Sequence, residues 1–407
     1  MKGKESKPHI GIFGRRNKGK SSLINKFAGQ DIAIVSPVPG TTTDPVKKSI
    51  EISDIGPVVL IDTAGIDDTG DLGEKRKMKT FQMIPSIDLA ILVITDNLIE
   101  EQEISIIEKF KEYDIPFFFI HNKSDIIGLQ PYLKQKIETE FKTKVLEFSA
   151  LKNKNTDSIV MLIREFMPES AYHKDSLTGG LLQYGDVVLL ITPIDTEAPE
   201  GRLILPQVQT IRDILDNDCV AIILKEREVE SFLKQTGIKP KLAITDSQLF
   251  LKADAMIPKD IPLTGFSVLL ARHKGDFQNY IKGTPHLSNL KDGDRILLLE
   301  SCTHHLSCED IGRVKLPRWI TNFTGKKLEF EVVAGLDALP RDIKNYSLVI
   351  QCGGCMITRK QLINRLKPAV DAGIPVTNYG LAIAYVQGIY NRAIAPFVKD
   401  MSKVNYL

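Results

Sequence analysis

Short apolar runs recur along the whole chain, and most are followed by a segment whose apolar residues repeat at helical spacing. Uninterrupted apolar runs of this length are typical of buried strands, and their alternation with helices indicates parallel sheets. We therefore predict an α/β protein. The predicted strands are Ile10–Phe13, Val58–Ile61, Leu89–Ile94, Pro116–Ile120, Val187–Thr192, Cys219–Leu224, Lys241–Thr245, Phe266–Leu270, Ile296–Leu299, Leu328–Val333, Leu348–Ile350 and Ile374–Val376.

Helical patterns lie between these strands, and one of them has a clear apolar face. Val208, Ile211 and Leu215 share that face, which we assign to the core rather than to an interface. The predicted helices are Ser22–Phe27, Asp157–Phe166, Gln207–Leu215 and Arg227–Leu233.

The chain is too long for one ordinary core, because it has 407 residues. A polar segment from Met167 to Gly180 interrupts the strand and helix pattern and indicates a linker. We predict three parallel-sheet α/β domains, which are residues 1–170, 171–262 and 263–407. The middle domain shows no catalytic motif, so we interpret it as a structural or dimerising module.

Composition and charge narrow the class of protein. The chain is 43% hydrophobic and 26% charged with a formal net charge of +2, so nucleic acid is not expected as a partner on electrostatic grounds. No apolar run approaches the roughly 18 residues that a membrane helix needs, and the N-terminus lacks an apolar signal core. Five cysteines in so long a chain suit a reduced compartment. We expect a cytoplasmic protein with no membrane partner.

The segment from Gly14 to Ser21 has the spacing of a phosphate-binding loop between a strand and a helix. Its glycines let backbone N–H groups surround a phosphate, the Lys20 ammonium can reach the β and γ oxygens, and the Ser21 hydroxyl can ligate Mg²⁺. The nucleotide-binding residues predicted in this segment are Gly14, Asn17, Gly19, Lys20, Ser21 and Ser22.

The motifs that follow come in the order of a guanine-nucleotide switch protein. Thr42 offers a hydroxyl to Mg²⁺, Asp62 can hold the metal through water, and the Gly65 amide can sense a γ-phosphate. An aspartate that accepts from guanine would be left unpaired by adenine, so Asn122 and Asp125 are the predicted base readers. We assign catalytic roles to Lys20, Thr42, Asp62 and Gly65, and further nucleotide contacts to Asn122, Lys123, Asp125, Ser149 and Ala150.

These motifs together resemble the small GTP-binding proteins related to translation factors, over roughly residues 8–168. Ile66 stands where Ras-like proteins place the glutamine that positions water, so we expect slow hydrolysis. Asn17 and the Gly40–Asp44 loop are similar to bacterial GTPases in which K⁺ occupies the place of an arginine finger. The alternative is that Asn17 only caps its own loop.

Two cysteine clusters each follow a predicted strand in the last third of the chain. Cys352-Gly-Gly-Cys355 can grip one metal centre from a single loop, and Cys302 and His304 follow another strand. Parallel strands end at a common sheet edge, so we expect the clusters to meet. A structural zinc site and an iron–sulfur cluster both fit this spacing.

The order of a GTPase domain, a plain middle domain, Cys302-Thr-His304 and a distant Cys352-Gly-Gly-Cys355 resembles the HydF family, the maturation GTPases of iron-only (FeFe) hydrogenases. The resemblance spans essentially the whole chain. It implies a GTPase and carrier that binds GTP, Mg²⁺, K⁺, a 4Fe-4S cluster on Cys302, Cys352 and Cys355, and a transient di-iron subcluster precursor. It also implies a homodimer, with radical-SAM hydrogenase maturases and the FeFe-hydrogenase apoprotein as partners.

One residue departs from the pattern of that family, in which many members place His directly before the cysteine pair. Here the position is Gln351, and an amide is a poor iron ligand, so we expect a labile fourth ligand instead. Asp195 is slightly preferred over His304 for this role, although a solvated loop is the plainer interpretation of the carboxylates around Asp195. Cys308 is interpreted as a packed thiol.

A different class of protein shares the GTPase motifs. Ribosome-assembly and tRNA-modification GTPases carry an appended RNA-binding domain, and a structural zinc site would then explain the C-terminal cysteines. The sequence shows no basic stripe with interleaved aromatic residues, which disfavours this alternative.

Overall fold

The computed structural model describes residues 7–27, 36–38, 46–52, 55–67, 70–152, 155–168, 176–193, 203–301, 310–335, 337 and 339–398. Residues 6–174 form one compact unit and residues 175–407 form another. Within the described ranges, no helix is both long enough and apolar enough to cross a membrane.

The first unit is built on a sheet whose described strands have the order β2-β3-β4-β1-β5-β6-β7. Strand β3 pairs antiparallel with β2 on one side and with β4 on the other, and the other described pairs are parallel. Every residue of β5 and β6 is buried, because apolar clusters cover both faces of the sheet. The strands are β1 His9–Phe13, β2 Ser36–Val38, β3 Val46–Ile52, β4 Gly56–Asp62, β5 Leu89–Ile94, β6 Phe117–His121 and β7 Val145–Glu147.

Helices connect the parallel strands of this sheet. The first begins at Lys20, near the end of the predicted Gly14–Ser21 segment, so the phosphate loop lies between the carboxyl end of β1 and this helix. The described helices of the unit are α1 Lys20–Phe27, α2 Gly70–Met83, α3 Glu101–Glu112, α4 Pro131–Glu140 and α5 Thr156–Phe166.

The second unit contains two sheets, and all of their described strand pairs are parallel. The middle sheet has the order β11-β10-β8-β9 and the C-terminal sheet has the order β13-β12-β14-β15. The strands are β8 Val187–Thr192, β9 Val220–Lys225, β10 Leu242–Thr245, β11 Leu263–Gly265, β12 Arg295–Leu299, β13 Glu329–Val333, β14 Leu348–Gln351 and β15 Val376–Asn378. The predicted α/β class, with a phosphate-loop domain and further parallel sheets, is confirmed.

Helices cover these two sheets. A short π-helical turn, Ile311–Lys315, precedes one of them. The described helices of the unit are α6 Leu205–Asp216, α7 Val229–Thr236, α8 Phe250–Met256, α9 Phe266–Lys274, α10 Phe277–Gly283, α11 Leu316–Thr324, α12 Arg359–Asp371, α13 Tyr379–Val386 and α14 Tyr390–Ile394.

The predicted strand at Phe266–Leu270 is wrong, because these residues form the first half of α9. Four successive residues, Val268 to Ala271, are buried, so this part of the helix lacks the polar stripe that would give it a helical period. The strand just before it, Leu263–Gly265, pairs with β10 and extends the middle sheet.

The predicted orientation of α6 is also wrong. Val208 is 47% exposed and Leu215 is 54% exposed, whereas Gln207, Thr210 and Ile214 are the buried residues of the helix. The neighbouring β9 is an edge strand of the middle sheet, and its Ile223 is 42% exposed. The second unit therefore presents apolar side chains on α6 and along a sheet edge.

Candidate functional site

The phosphate loop occupies Gly14 to Gly19, between β1 and α1. A Cβ atom at Gly14 would lie 2.3 Å from the Val93 carbonyl oxygen, and one at Gly19 would lie 2.2 Å from Asn122 Nδ2. Asn17 has a φ of 57°, a left-handed conformation that asparagine tolerates better than most residues. These positions explain why the loop requires glycine at both ends.

The side chain of Lys20 lies inside this loop. Its Nζ donates to the carbonyl oxygens of Gly14 at 2.7 Å and Arg15 at 2.9 Å, and the residue is 8% exposed. Phosphate oxygens could replace these neutral acceptors, and a charged acceptor makes a stronger hydrogen bond with an ammonium group. The predicted placement of the lysine is consistent with phosphate binding.

The predicted magnesium ligands Ser21 and Asp62 lie side by side. Ser21 Oγ donates to Asp62 Oδ2 at 2.7 Å, while Asp62 Oδ1 is buried and has no hydrogen-bond partner in the described part of the chain. A buried carboxylate oxygen without a donor is costly unless a cation or water approaches it, so these residues fit a hydrated Mg²⁺. Thr42, the third predicted ligand, lies outside the described residues.

The segment after Asp62 lies close to the phosphate loop. Gly65 is buried, and the following Ile66 donates its backbone N–H to the Gly14 carbonyl at 3.4 Å. The Ile66 side chain is 1% exposed and packs in the core. As a hydrocarbon it cannot position water as the glutamine of Ras-like proteins does.

The predicted base readers lie at the end of β6. Asn122 is 2% exposed, its Nδ2 donates to the Lys18 carbonyl at 2.9 Å, and its Oδ1 has no partner among the described residues. Asp125 Oδ1 accepts a hydrogen bond from Ser149 Oγ at 2.5 Å, which lowers the pKa of the Asp125 carboxyl. The aspartate is thus oriented and kept ionised, as a guanine reader must be. Lys123 has a φ of 59°, and Ala150 is half-buried beside Ser149.

Three ion pairs that the sequence did not predict join the phosphate loop to residues outside it. Arg15 Nε donates to Glu103 at 2.7 Å and its Nη1 lies 2.8 Å from Glu100. Lys18 Nζ lies 2.6 Å from Asp96. These contacts join residues more than seventy positions apart, and no local sequence pattern indicates them.

The predicted cysteine loop begins directly after β14. The Cys352 backbone N–H donates to the Leu299 carbonyl at 2.9 Å, so the loop lies beside the end of β12. Gly354 has a φ of 65°, and a Cβ atom there would lie 2.5 Å from the Leu362 side chain. Both cysteines are half-buried, and they are not joined by a disulfide. The loop therefore turns back sharply and carries two sulfur atoms at one sheet edge.

The Cys352 sulfur is hydrogen-bonded to Ser301, the residue that precedes Cys302. Ser301 contacts it through backbone N at 3.1 Å and Oγ at 3.0 Å, and Gln351 Nε2 lies 3.5 Å away. Burial raises the pKa of the Cys352 thiol, and the Ser301 hydrogen bond opposes that shift. The ends of β12 and β14 thus meet as expected from the parallel sheet.

A buried lysine and a half-buried arginine that the sequence did not predict hold this sheet edge. Lys274 Nζ donates to the carbonyl oxygens of Gly354 at 3.1 Å and Ile357 at 2.9 Å. Arg365 donates to the carbonyl oxygens of Glu300 at 2.6 Å and Val333 at 2.7 Å. The lysine shapes the cysteine loop, and the arginine joins the ends of β12 and β13.

Two buried phenols complete the surroundings of Cys352. The Tyr280 and Tyr379 hydroxyls have no hydrogen-bond partner among the described residues. Burial raises the pKa of both phenols, and the nearby charge of Cys352 raises it further. A buried donor without an acceptor is costly, and an anionic group bound nearby could accept from such a hydroxyl.

The other predicted cluster ligands, Cys302, His304 and Asp195, lie outside the described residues, and so does Cys308, the predicted packed thiol. Within the described ranges, no three His, Cys, Asp or Glu side chains come together to hold a metal ion. Cys219 is a buried thiol directly before β9, where it contacts the carbonyl oxygens of Gln183 and Asn217.

Three family models match the chain in separate segments. Residues 9–123 match the 50S ribosome-binding GTPase model, residues 177–275 match the hydrogen maturase F dimerization domain, and residues 278–396 match the hydrogen maturase F tetramerization domain. The last two models together span most of the second unit.

Curated relatives match over the GTPase segment. The tRNA modification GTPase MnmE of Nitrosomonas europaea is 40% identical over 126 residues, which are 30% of this chain and 28% of that protein. The GTPase Era of Caldicellulosiruptor saccharolyticus is 29% identical over 42% of this chain and 58% of its own length. The chain thus spans less than two thirds of these relatives.

Solved structures show a limited likeness. An Era variant from Aquifex aeolicus bound to GDP and aluminium fluoride aligns with 57% of this chain and 99% of its own at a TM-score of 0.35 and 20% identity. The G domain of the T. maritima FeoB iron transporter aligns with 39% of this chain and 98% of its own at a TM-score of 0.31 and 19% identity.

Proposed function

Because the chain belongs to the hydrogen maturase F family, we propose that it is a GTPase and iron–sulfur scaffold that assembles the di-iron subcluster of FeFe-hydrogenase and delivers it to that enzyme. The observation that carries this proposal is the contact between Ser301 Oγ and the Cys352 sulfur, which are 3.0 Å apart. Ser301 directly precedes Cys302 in the sequence. The contact brings the segment that leads into the third predicted cysteine against the Cys352–Cys355 loop.

The match to a GTPase model supports binding of GTP and Mg²⁺ and hydrolysis of GTP. In the proposed mechanism, Lys20 exchanges its two loop carbonyls for β- and γ-phosphate oxygens, and Ser21 and Asp62 hold Mg²⁺. Asp125 accepts from the guanine base, with Ser149 holding its carboxylate in place. Thr42 and Gly65 would sense the γ-phosphate.

Slow, potassium-activated hydrolysis is part of the proposal. The buried side chain of Ile66 leaves the position beside the γ-phosphate without a polar group that could orient water. Asn17 is exposed on the phosphate loop, so its side-chain oxygen is available to a monovalent cation. K⁺ would then supply the positive charge that an arginine finger supplies in other GTPases.

Cys302, Cys352 and Cys355 would hold the 4Fe-4S cluster, with Asp195 or His304 as an exchangeable fourth ligand. When bound, the cluster supplies an iron to which a cargo ligand can attach and from which it can leave. Lys274 keeps the Gly354–Ile357 backbone in the shape that presents both thiols, and Gln351 is occupied as a hydrogen-bond donor to Ser301.

The proposed partners are the radical-SAM maturases and the hydrogenase apoprotein. The matches to dimerization and tetramerization models support self-association. The apolar residues exposed on α6 and on the edge strand β9 support the middle sheet as the dimer contact.

Iron and sulfide content tests the proposed scaffold directly. Protein prepared without oxygen should bind about four iron and four sulfide per chain, as a 4Fe-4S cluster requires. Cys352→Ala should lose both, whereas Cys219→Ala should keep them, because Cys219 is a buried thiol that precedes a strand of the middle sheet. Zinc without sulfide in the unaltered protein would overturn the proposal in favour of a structural metal site.

A further inference from the structure

Ser301 and Gln351 form a hydrogen-bonded pair against the Cys352 sulfur. Gln351 Nε2 donates to Ser301 Oγ at 3.1 Å, and Ser301 Oγ lies 3.0 Å from the sulfur. Because the serine oxygen accepts from the amide, its own proton is free to point at the sulfur. The amide also lies 3.5 Å from the sulfur, at the limit of a direct contact.

The pair is held rigidly by the sheet. Gln351 is paired in register with Leu299 across β12 and β14, and its carbonyl accepts from Asn378 Nδ2 at 3.1 Å. Gln351 is fully buried and Ser301 is 5% exposed. Dipoles fixed in a buried site act on a neighbouring charge more strongly than dipoles in water do.

We propose that Ser301 and Gln351 are positioning residues that set the reduction potential of the cluster bound through Cys352. The inference rests on the cluster proposed above. A reduced cluster carries one more negative charge than an oxidised one, and hydrogen bonds to its cysteine sulfur stabilise that charge. The pair therefore raises the potential, and Gln351 acts on Cys352 through Ser301.

The test is a redox titration of the cluster, followed by electron paramagnetic resonance, in unaltered protein and in Ser301→Ala. Removal of the hydroxyl leaves the backbone N–H on the sulfur, so the cluster should remain bound. At the potential that half-reduces the unaltered protein, the ratio of reduced to oxidised cluster should fall about threefold or more, which is about 28 mV for one electron.

Matched variants separate this effect from a general disturbance of the sheet. Gln351→Met removes the amide at similar length and should shift the potential in the same direction. Ser347→Ala removes a serine hydroxyl at the opposite end of β14, where Ser347 donates to Asp294, and should leave the potential unchanged. Equal potentials in Ser301→Ala and Ser347→Ala would overturn the inference.

The outcomes also distinguish this inference from the proposed function. Unaltered protein without a cluster would overturn both, whereas a cluster whose potential ignores Ser301 and Gln351 would overturn the inference alone. If both variants lose the cluster, pulsed resonance of the unaltered protein in deuterated water decides. The Ser301 backbone N–H supplies one strongly coupled deuteron, so a second one that Ser347→Ala retains supports a hydroxyl donor on the sulfur, and a single coupling contradicts one.

Discussion

Asn122 and Gly19 are in direct contact, so the segment that reads the base touches the loop that binds phosphate. The Asn122 amide donates to the Lys18 carbonyl at 2.9 Å, and a Cβ atom at Gly19 would lie 2.2 Å from Asn122 Nδ2. Recognition of the base and of the phosphates is therefore coupled through one glycine.

Gly19→Ala should weaken GTP binding by at least about tenfold, because the methyl group displaces Asn122 and the φ of 89° strains any other residue. Gly56→Ala is the matched control, since Gly56 has a φ of 91° and nothing within 4 Å of the added Cβ. Titration with a fluorescent GTP analogue measures both variants. Equal affinities would show that the contact is irrelevant to binding.

Asp125→Asn should reduce GTP affinity about tenfold to a hundredfold, because the carboxylate acceptor for guanine is lost while the phosphate contacts remain. The same variant should gain affinity for xanthosine triphosphate, whose ring carries an oxygen that the new amide can meet. Competition between the two nucleotides gives both numbers. Unaltered protein that binds ATP as well as GTP would contradict the assignment of the base site.

Asn17→Gly should abolish the difference between K⁺ and Na⁺ in the rate of GTP hydrolysis. Glycine accepts the φ of 57° at this position, so the variant removes the side-chain oxygen without straining the loop. We expect the unaltered protein to be slower in Na⁺, the smaller ion. Identical rates in the two salts before substitution would leave Asn17 as a loop residue without a role in cation binding.

Ile223→Lys should lower the oligomeric state, measured by light scattering after size-exclusion chromatography. Ile223 is 42% exposed on edge strand β9, and a charge there opposes burial against a second chain. Leu251→Lys is the control, because Leu251 is 58% exposed on α8 of the same unit. If both variants change the assembly equally, β9 has no special part in it.

Most strands could be predicted from the sequence, because a strand that is buried on both faces of a sheet appears as a continuous run of apolar residues. Leu89–Ile94 is such a run, and it forms the fully buried β5. The same signal misleads at Phe266–Lys274, where a helix is buried on nearly every side and has no polar period. Val208 and Leu215 were predicted to lie in the core but are exposed. The sequence of an apolar helical face does not show whether that face packs on the core of its own chain or on another chain.

The residues of the candidate sites fall into two groups, those that short sequence motifs predict and those that they do not. Lys20, Asp62, Asn122 and Cys352 lie in short motifs whose spacing fixes their chemistry. Lys274 was not predicted, because it reaches the cysteine loop from 80 residues away and an isolated lysine carries no signal. Tertiary packing alone brings such supporting residues to the site.

The central claim is that the C-terminal sheet holds a cluster with one exchangeable position, and exogenous cyanide tests it most directly. We predict that reduced, anaerobically prepared protein gives the electron paramagnetic resonance signal of a 4Fe-4S cluster and that labelled cyanide becomes magnetically coupled to it. Cys355→Ala should abolish the signal. A cluster signal that no added ligand alters, or proof of a fourth cysteine ligand, would contradict the scaffold mechanism.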